Sequence, residues 1–459
     1  MSTSATVAFE TLGCKLNQYE TDAIATELRE RGFTVVDGTD GADAYVINSC
    51  TVTNKADRKS RNTLNRAVRS AGSTGVVVLT GCFVDSHKED LVDTAATYVV
   101  DNTHKNTIPE VLDAHFRGEV VDPNDLDPNV FGFSPPQRIF HTRTNLKIQD
   151  GCDNFCTFCI IPFVRGRARS RPAEAVLHEA QQAIGNGARE LVLTGVNMSR
   201  YHADGTDFVE LVHGILALDG DFRLRISSLE PDQLDQRFVD LFRHPKMCPH
   251  LHLCLQSGSD RILLAMRRMY TVGQYLDVVE RLREVDPDFT ITTDVIVGFP
   301  GEGEAEFTES LSVADRADVA HVHMFPYSVR SGTRAERMPH HVSTEEKRAR
   351  GTRVQEAAEE RKRRIRERFV GRRQRVLVEQ IHTSPDGPLA TGLSEYYHPV
   401  SIMIAADADH EANADRKPDA EAGLTAIGAD LAPNTFYDVE IIAVGSGDDP
   451  PLLARLLPV

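Results

Sequence analysis

The sequence predicts an α/β protein in three parts: an N-terminal open parallel sheet, a central partial (β/α) barrel and a small C-terminal β-barrel. Three observations lead there. Short β-rich runs alternate with helical runs as far as Pro339, the pattern of parallel strands with crossover helices. Six of the eight cysteines fall into two groups of three, one scattered and one tightly spaced. Beyond Pro339 a long charged helix gives way to strands separated only by turn residues.

Bulk properties agree with this division. A chain of 459 residues with 41% hydrophobic content has room for about three domains. No cationic, apolar leader opens it and no apolar run approaches the ~18 residues of a membrane span, so a cytoplasmic enzyme with no membrane partner is expected. In that reducing compartment the eight cysteines read as metal ligands or reactive thiols rather than disulfides. The net charge of −17 argues against a nucleic-acid partner until its distribution is considered. Acid concentrates in runs such as 122–127 and 407–419, whereas 347–375 is densely basic.

Residues 1–125 form the first expected domain. Strands are predicted at Thr6–Thr11, Ala44–Asn48 and Val76–Thr80, and helices at Asn17–Arg31 and Lys55–Arg69. A cysteine follows each strand: Cys14, Cys50 and Cys82. The carboxyl ends of parallel strands share one sheet edge, where ligands bind, so three cysteines far apart in sequence should converge. Gly13 and Gly81 beside them allow the backbone to approach a bulky ligand closely. Three ordinary buried thiols are the plain alternative, but an iron-sulfur cluster with one open iron accounts for all three positions together.

A linker at 126–142 leads to the second expected domain, 143–371. It opens on Gly151-Cys-Asp-Asn-Phe-Cys-Thr-Phe-Cys-Ile160. Cys152, Cys156 and Cys159 can hold three corners of a 4Fe-4S cubane and leave the fourth iron open. A structural zinc would need a fourth Cys or His, which this loop lacks. The C-x3-C-x2-C spacing, with Phe158 before the last cysteine, resembles the radical S-adenosylmethionine (SAM) enzymes. That resemblance implies that the open iron chelates the amino and carboxylate groups of SAM and that one electron splits the sulfonium to a 5'-deoxyadenosyl radical.

Further strands are predicted at Glu190–Leu193, Arg223–Ile226, His250–Leu255, Ile291–Val297 and His321–Phe325, with helices such as Glu174–Asn186 and Val272–Val285 between them. About six βα units suit an incomplete radical SAM barrel whose functional groups cluster at the C-terminal ends of its strands. Thr194-Gly-Val-Asn197, Ser227-Ser-Leu-Glu230, Gln256-Ser-Gly258 and Gly298-Phe-Pro-Gly-Glu302 lie at those ends. By resemblance, Phe158, Thr194, Asn197, Glu230 and Gln256 are expected in the SAM pocket. Cys248 and Cys254 read as core thiols, and His250 and His252 as barrel-lining residues satisfied by neighbours.

Ser343–Arg368 reads as a helix begun by the capping pattern Ser343-Thr-Glu-Glu346. Its basic residues, with those of Gly371–Arg375, make either a solvated helix with ion pairs such as Glu360 with Arg364 or a phosphate-facing stripe. Residues 372–446 follow, with strands at Arg375–Ile381, Leu389–Leu393, Pro399–Ile404 and Thr435–Val444. They suit a small OB-like antiparallel barrel, a frequent carrier of RNA, with Tyr396 and Tyr397 placed to stack on a base. The acidic insert Ala405–Gly428 reads as a flexible loop.

Two three-cysteine sites in this order, with Thr11–Thr21, Asn48–Asn54, Ile160–Arg171 and Leu255–Gly258, make the chain resemble the methylthiotransferases of the radical SAM superfamily over nearly its whole length. The resemblance implies two 4Fe-4S clusters, SAM, a C-terminal TRAM domain that holds tRNA, and a cytoplasmic electron donor such as flavodoxin or ferredoxin. It also implies the reaction. One SAM methylates sulfur at the auxiliary cluster of Cys14, Cys50 and Cys82, a second supplies the radical that removes hydrogen from an unreactive carbon, and methylthio takes its place. Such a C–H bond has no acidic proton for acid–base chemistry to remove. Arg165–Arg171 and Thr11–Thr21 together resemble the branch acting at C2 of N6-threonylcarbamoyladenosine at tRNA position 37. Arg167 and Arg169 would then hold the threonylcarbamoyl carboxylate through charge-assisted hydrogen bonds, which an isopentenyl group does not offer. The alternatives are branches acting on isopentenyl-adenosine tRNA or a ribosomal-protein aspartate and, from another class, a non-enzymatic metal-stabilised RNA-binding protein.

Overall fold

The computed structural model describes residues 5–36, 41–91, 93–137, 140–384, 387–403, 431–447 and 449–457. β1 (Thr6–Thr11), β2 (Thr34–Val36), β3 (Ala44–Ser49), β4 (Val76–Gly81) and β5 (Tyr98–Val100) form an all-parallel sheet in the order β2-β1-β3-β4-β5. Alternate residues of each strand bury opposite ways. Val7, Val46 and Val78 pack under α1 (Lys15–Glu30) and α4 (Ile108–Phe116), while Ala8, Ile47 and Leu79 pack under α2 (Asn54–Ala71) and α3 (Cys82–Ser86). Central β3 and β4 are therefore buried along their whole length and read as continuous β-rich runs. Among its described residues the segment after α4 carries no strand up to residue 143, yet it is not a loose tether. Val130 and Phe133 are buried, and Lys147 lies over the rings of Phe131 and Phe133.

The second unit begins with β6 (Thr144–Lys147) and a short antiparallel pair, β7 (Gln149–Asp150) with β8 (Arg169–Ser170), which clips the base of the cysteine loop; α5 (Ile161–Val164) lies inside that loop. Then come α6 (Ala173–Gly185), β9 (Glu190–Thr194), a small ribbon of β10 (His202–Ala203) and β11 (Thr206–Asp207), α7 (Phe208–Leu216), β12 (Arg223–Leu229) and α8 (Gln236–Asp240). β13 (Met247–Leu253), α9 (Asp260–Ala265), α10 (Val272–Val285), β14 (Thr290–Val297), α11 (Glu304–Arg316) and β15 (His321–Pro326) complete it. The sheet runs β15-β14-β13-β12-β9-β6, all neighbours parallel, a barrel left open between its first and last strands. Leu191, Leu224, Leu251 and Ile291 pack outward in the largest apolar cluster. The alternate residues Glu190, Arg225, His250, His252, Thr292 and Asp294 give the inner wall its polar character.

α12 (Thr344–Glu367) starts at Ser343, whose hydroxyl accepts from Glu346 N as the capping pattern predicts. Its basic residues are mostly spent within the fold. Arg361 donates to Val319 O at 2.9 Å, Arg364 and Arg368 pair with Asp318 at 3.1 and 2.6 Å, and Lys362 and Arg366 pair with Asp449. The ion-paired reading of this helix is the one realised, with Asp318 in place of Glu360 as the partner of Arg364.

β16 (Arg373–Ser384), β17 (Gly387–Ser394), β18 (Pro399–Met403), β19 (Thr435–Val444) and β20 (Leu452–Leu456) close into a barrel in the order β16-β17-β18-β20-β19. The fifth strand lies past residue 446 and bridges β18 and β19. The predicted loop Ala405–Gly428 lies outside the described residues. This barrel caps one end of the larger one: Arg223 donates to the carbonyls of Arg375 and Leu393, and Arg225 to those of Ser394 and Glu395. Tyr397 stacks on His250 at 4.4 Å and Tyr396 donates to Asp286 at 2.9 Å. Both rings are committed to the domain contact, which corrects their expected role as a base-stacking platform. Among the described residues no helix is long and apolar enough to cross a membrane.

Candidate active site between two cysteine triplets

β1, β3 and β4 are neighbours in the sheet, so the strand ends that carry Cys14, Cys50 and Cys82 lie side by side. Cys14 caps α1 and is exposed, whereas Cys50 and Cys82 are buried. A Cβ on Gly13 would stand 3.0 Å from Cys50 Cβ, and one on Gly81 would stand 2.4 Å from Ser49 O. Both glycines also have φ near +100°. No other residue allows the backbone to turn this closely into the site. Burial pushes the Cys50 thiol up to about 11, with Cys82 and Cys14 adding in the same direction.

The second triplet sits in a loop clipped by β7 and β8 and tied across by Cys152 N donating to Gly166 O at 3.1 Å. Burial, then Cys156, pushes Cys159 up to about 12, and burial raises Cys152 and Cys156 as well. Such thiols become thiolates when a metal displaces their protons. Three thiolates on one zinc, with bonds of ~2.3 Å, would lie roughly 3.8 Å apart. Among the described residues, the group whose ligand atoms all fall within 4.8 Å of one another is His252, Cys254 and Asp294. Neither cysteine triplet falls within that distance.

The two triplets meet across the domain boundary. Cys82 packs with Ile160 and Val164, and Asn102 Nδ2 lies 3.7 Å from Cys82 Sγ and donates to Val164 O at 2.9 Å. Beneath this contact runs a buried ionic network. Glu20 of α1 accepts from Lys105 at 2.5 Å, Lys147 at 2.7 Å and Arg165 at 3.1 Å; Asp150 accepts from Lys147 at 2.7 Å and Arg165 at 3.0 Å. None of these side chains is more than 3% exposed. Arg165 also donates to Asn17, three residues from Cys14. Sequence reading did not find this network, because its charged residues look like ordinary surface residues until tertiary structure buries them.

The expected SAM-pocket residues divide. Glu230 accepts from Asn154 at 2.7 Å and from Arg268 at 3.0 Å, and Arg268 also lies 3.3 Å from Cys156 Sγ. Burial raises the Glu230 carboxyl while Arg268 opposes the rise. Asn197 lies beside Cys152, and its backbone N–H is held by Gln149 Oε1 at 2.8 Å. Its buried amide nitrogen makes no close hydrogen bond among the described residues and bears on the Cys152 thiol. Gln256 adopts φ +64° at a bridge to Val295. Thr194 is buried with its hydroxyl turned to Val192 O, and Phe158 packs edge-on against Phe299. Arg268, Asn154 and Gln149 went unnoticed in the sequence, where no motif marks them.

Arg167 and Arg169 lie on the outer rim of the cysteine loop. The Arg167 side chain is 73% exposed, pairs with Asp153 at 2.6 Å and lies over Phe155. Arg169 is exposed and donates to Arg165 O. A carboxylate held there would compete with Asp153 for Arg167 in open solvent.

Comparisons with known proteins agree with this geometry. Residues 6–101 match the uncharacterized protein family UPF0004 and residues 146–314 the radical SAM superfamily. The threonylcarbamoyladenosine tRNA methylthiotransferase MtaB of Thermotoga maritima is 36% identical over 396 residues, covering 85% of this chain and 90% of the relative. MtaB of Bacillus subtilis is 40% identical over 348 residues, covering 74% and 77%. The tRNA-2-methylthio-N(6)-dimethylallyladenosine synthase of Oleidesulfovibrio alaskensis is 36% identical over 397 residues, covering 83% and 84%. Among solved structures, the radical S-adenosylmethionine methyltransferase TsrM of Kitasatospora setae shares the fold, with a TM-score of 0.56 at 16% identity over 73% of this chain and 77% of that one. These matches place the chain in the family of radical SAM tRNA methylthiotransferases.

Proposed function

We propose that this protein inserts a methylthio group at C2 of N6-threonylcarbamoyladenosine at position 37 of tRNA. The observation that carries the reading is the packing of Cys82, from the first triplet, against Ile160 and Val164 in the loop that carries the second. In this reading Cys152, Cys156 and Cys159 hold the SAM-cleaving cluster and Cys14, Cys50 and Cys82 the auxiliary one. Bound SAM and two 4Fe-4S clusters supply the electron, the carbon radical and the sulfur site that opening an unactivated C–H bond requires.

The protein's own residues position and shield. Asn197 and Glu230 bind SAM, with Thr194, Gln256 and Phe158 completing the wall. Arg268 sets a cation against Cys156 Sγ and, with Asn154, fixes the Glu230 carboxyl. Phe158, Phe299 and Met266 exclude water behind the loop. Exposed Arg167, Arg169 and Phe163 on the loop rim, beside the C-terminal barrel's expected role as a TRAM domain, suit contact with tRNA phosphates and bases. The setting is the cytoplasm, with flavodoxin or ferredoxin as electron donor.

Relatives named for threonylcarbamoyl- and dimethylallyladenosine match at the same 36% identity, so identity does not choose the substrate. Mass spectrometry of tRNA nucleosides from a strain lacking the protein does. Loss of the methylthio-threonylcarbamoyl nucleoside is expected. Loss of the methylthio-isopentenyl nucleoside would replace the substrate, and loss of neither would overturn the reading.

A further inference from the structure

A cavity of about 550 Å³ opens where the first domain, the segment entering the core and the C-terminal barrel meet, lined by Lys15, Gln18, His141, Arg143, Asn145 and Glu379 among others. Its carboxylates are already engaged. Glu379 accepts from Arg143 at 2.9 Å, and nearby Glu190 accepts from Arg223 at 2.6 Å and Arg225 at 2.8 Å. Lys15 has no such partner. Among the described residues its ammonium makes no ion pair or hydrogen bond; it lies over the face of Tyr397 at 5.8 Å, a ring that Arg143 and Arg225 also crowd, and feels Glu190 only at longer range. A partly buried cation among other cations, with no carboxylate of its own, is electrostatically incomplete until an anion arrives.

We propose that Lys15 is the specificity residue that binds the carboxylate of the threonylcarbamoyl group, an inference that rests on the substrate reading above. The placement favours it. Lys15 follows Cys14 directly at the start of α1, and from there its side chain turns into the cavity toward Tyr397. C2 and C6 flank N1 on one edge of adenine, so a base with C2 at the auxiliary cysteines carries its N6 substituent into the same neighbourhood. The carboxylate on that substituent is the anion Lys15 lacks, and a charge-assisted hydrogen bond in a partly buried site discriminates strongly. An RNA backbone phosphate has the same charge, and the test separates the two sources.

The test measures the affinity of the cluster-loaded wild type, Lys15→Gln and Lys15→Arg for one tRNA with threonylcarbamoyladenosine at position 37 and for the same tRNA with plain adenosine there. Lys15→Gln should lose roughly ten- to hundred-fold affinity for the modified tRNA alone, and Lys15→Arg should keep most of it. Iron and sulfide contents equal to wild type, with an unchanged circular dichroism spectrum, certify the fold. Equal weakening toward both tRNAs would assign Lys15 to a phosphate and overturn the proposal, as would a variant that still prefers the modified tRNA or a wild type that never does. Failure of the substrate reading is separate: it shows as wild-type protein that transfers no methylthio group to threonylcarbamoyl-tRNA.

Discussion

Desolvation makes the Cys50 and Cys159 thiols resist deprotonation, so in each triplet metal binding must overcome that cost. The triplets belong to separate sheets, and this makes them separable in experiment. Cys156→Ala should abolish cleavage of SAM to 5'-deoxyadenosine while retaining about half the iron. Cys50→Ala should lose methylthio transfer and keep some SAM cleavage. Iron analysis and product chromatography check both, and joint loss of all iron in either variant would contradict independent sites. At this scale the sequence was most readable in the cysteines, because loop spacing and strand-end position are visible without a fold. Arg165 and Arg167 were not separable by sequence. Two residues apart in one basic run, one is buried on Glu20 and Asp150 and the other reaches into solvent.

Among the elements, β12 does two jobs at once: its outward leucine and isoleucine fill the core, and its inward Arg223 and Arg225 grip the carbonyls of the C-terminal barrel. Burial alone would raise the Glu190 carboxyl, but Arg225 and Arg223 overcome it and hold that group well below the usual carboxylate range. A depressed folded value means the contribution is fully present above the unfolded value of about 4.3 and shrinks as pH falls below it. Domain docking through Glu190 should therefore be insensitive to pH between about 5 and 8. Arg225→Leu should be more damaging, costing about 3–5 kcal/mol by leaving Glu190 short of a partner. Urea unfolding measures the loss, and limited trypsinolysis should release the C-terminal barrel sooner than in wild type. The longer strands and helices were legible because each has its own period or cap. β2, β5, β7 and β8 were not, since two- and three-residue strands are defined by the neighbour they pair with. The basic face of α12 left two readings open for a related reason: its arginines find carbonyls and acids that only the packed β15 and β20 regions supply.

Over the whole molecule, the proposed chemistry requires two sheets to keep their cysteine-bearing edges together, and the buried Glu20 network is one of the links between them. Glu20 comes from α1, one residue type removed from the apolar positions that anchor that helix, while Lys147, Asp150 and Arg165 come from the second unit. Desolvating five charges is costly, and the network is tolerable only because every charge has an opposite partner at hydrogen-bond distance. Glu20→Gln keeps the shape but leaves Lys105 with no carboxylate, only Asn48 Oδ1, and Lys147 and Arg165 with Asp150 alone. We expect a loss of about 3–5 kcal/mol in stability. We also expect faster amide hydrogen exchange in α1 and in the Cys14 and Cys82 turns, with the C-terminal barrel unchanged, because the pairs that hold that barrel are remote from Glu20. The distance between the two triplets should then become variable, so methylthio transfer should fall further than SAM cleavage, which needs the second triplet alone. Wild-type protection of α1 in the variant, or equal loss of both activities, would show that the sheets are held together by apolar packing and that the ionic network only fills the space between them.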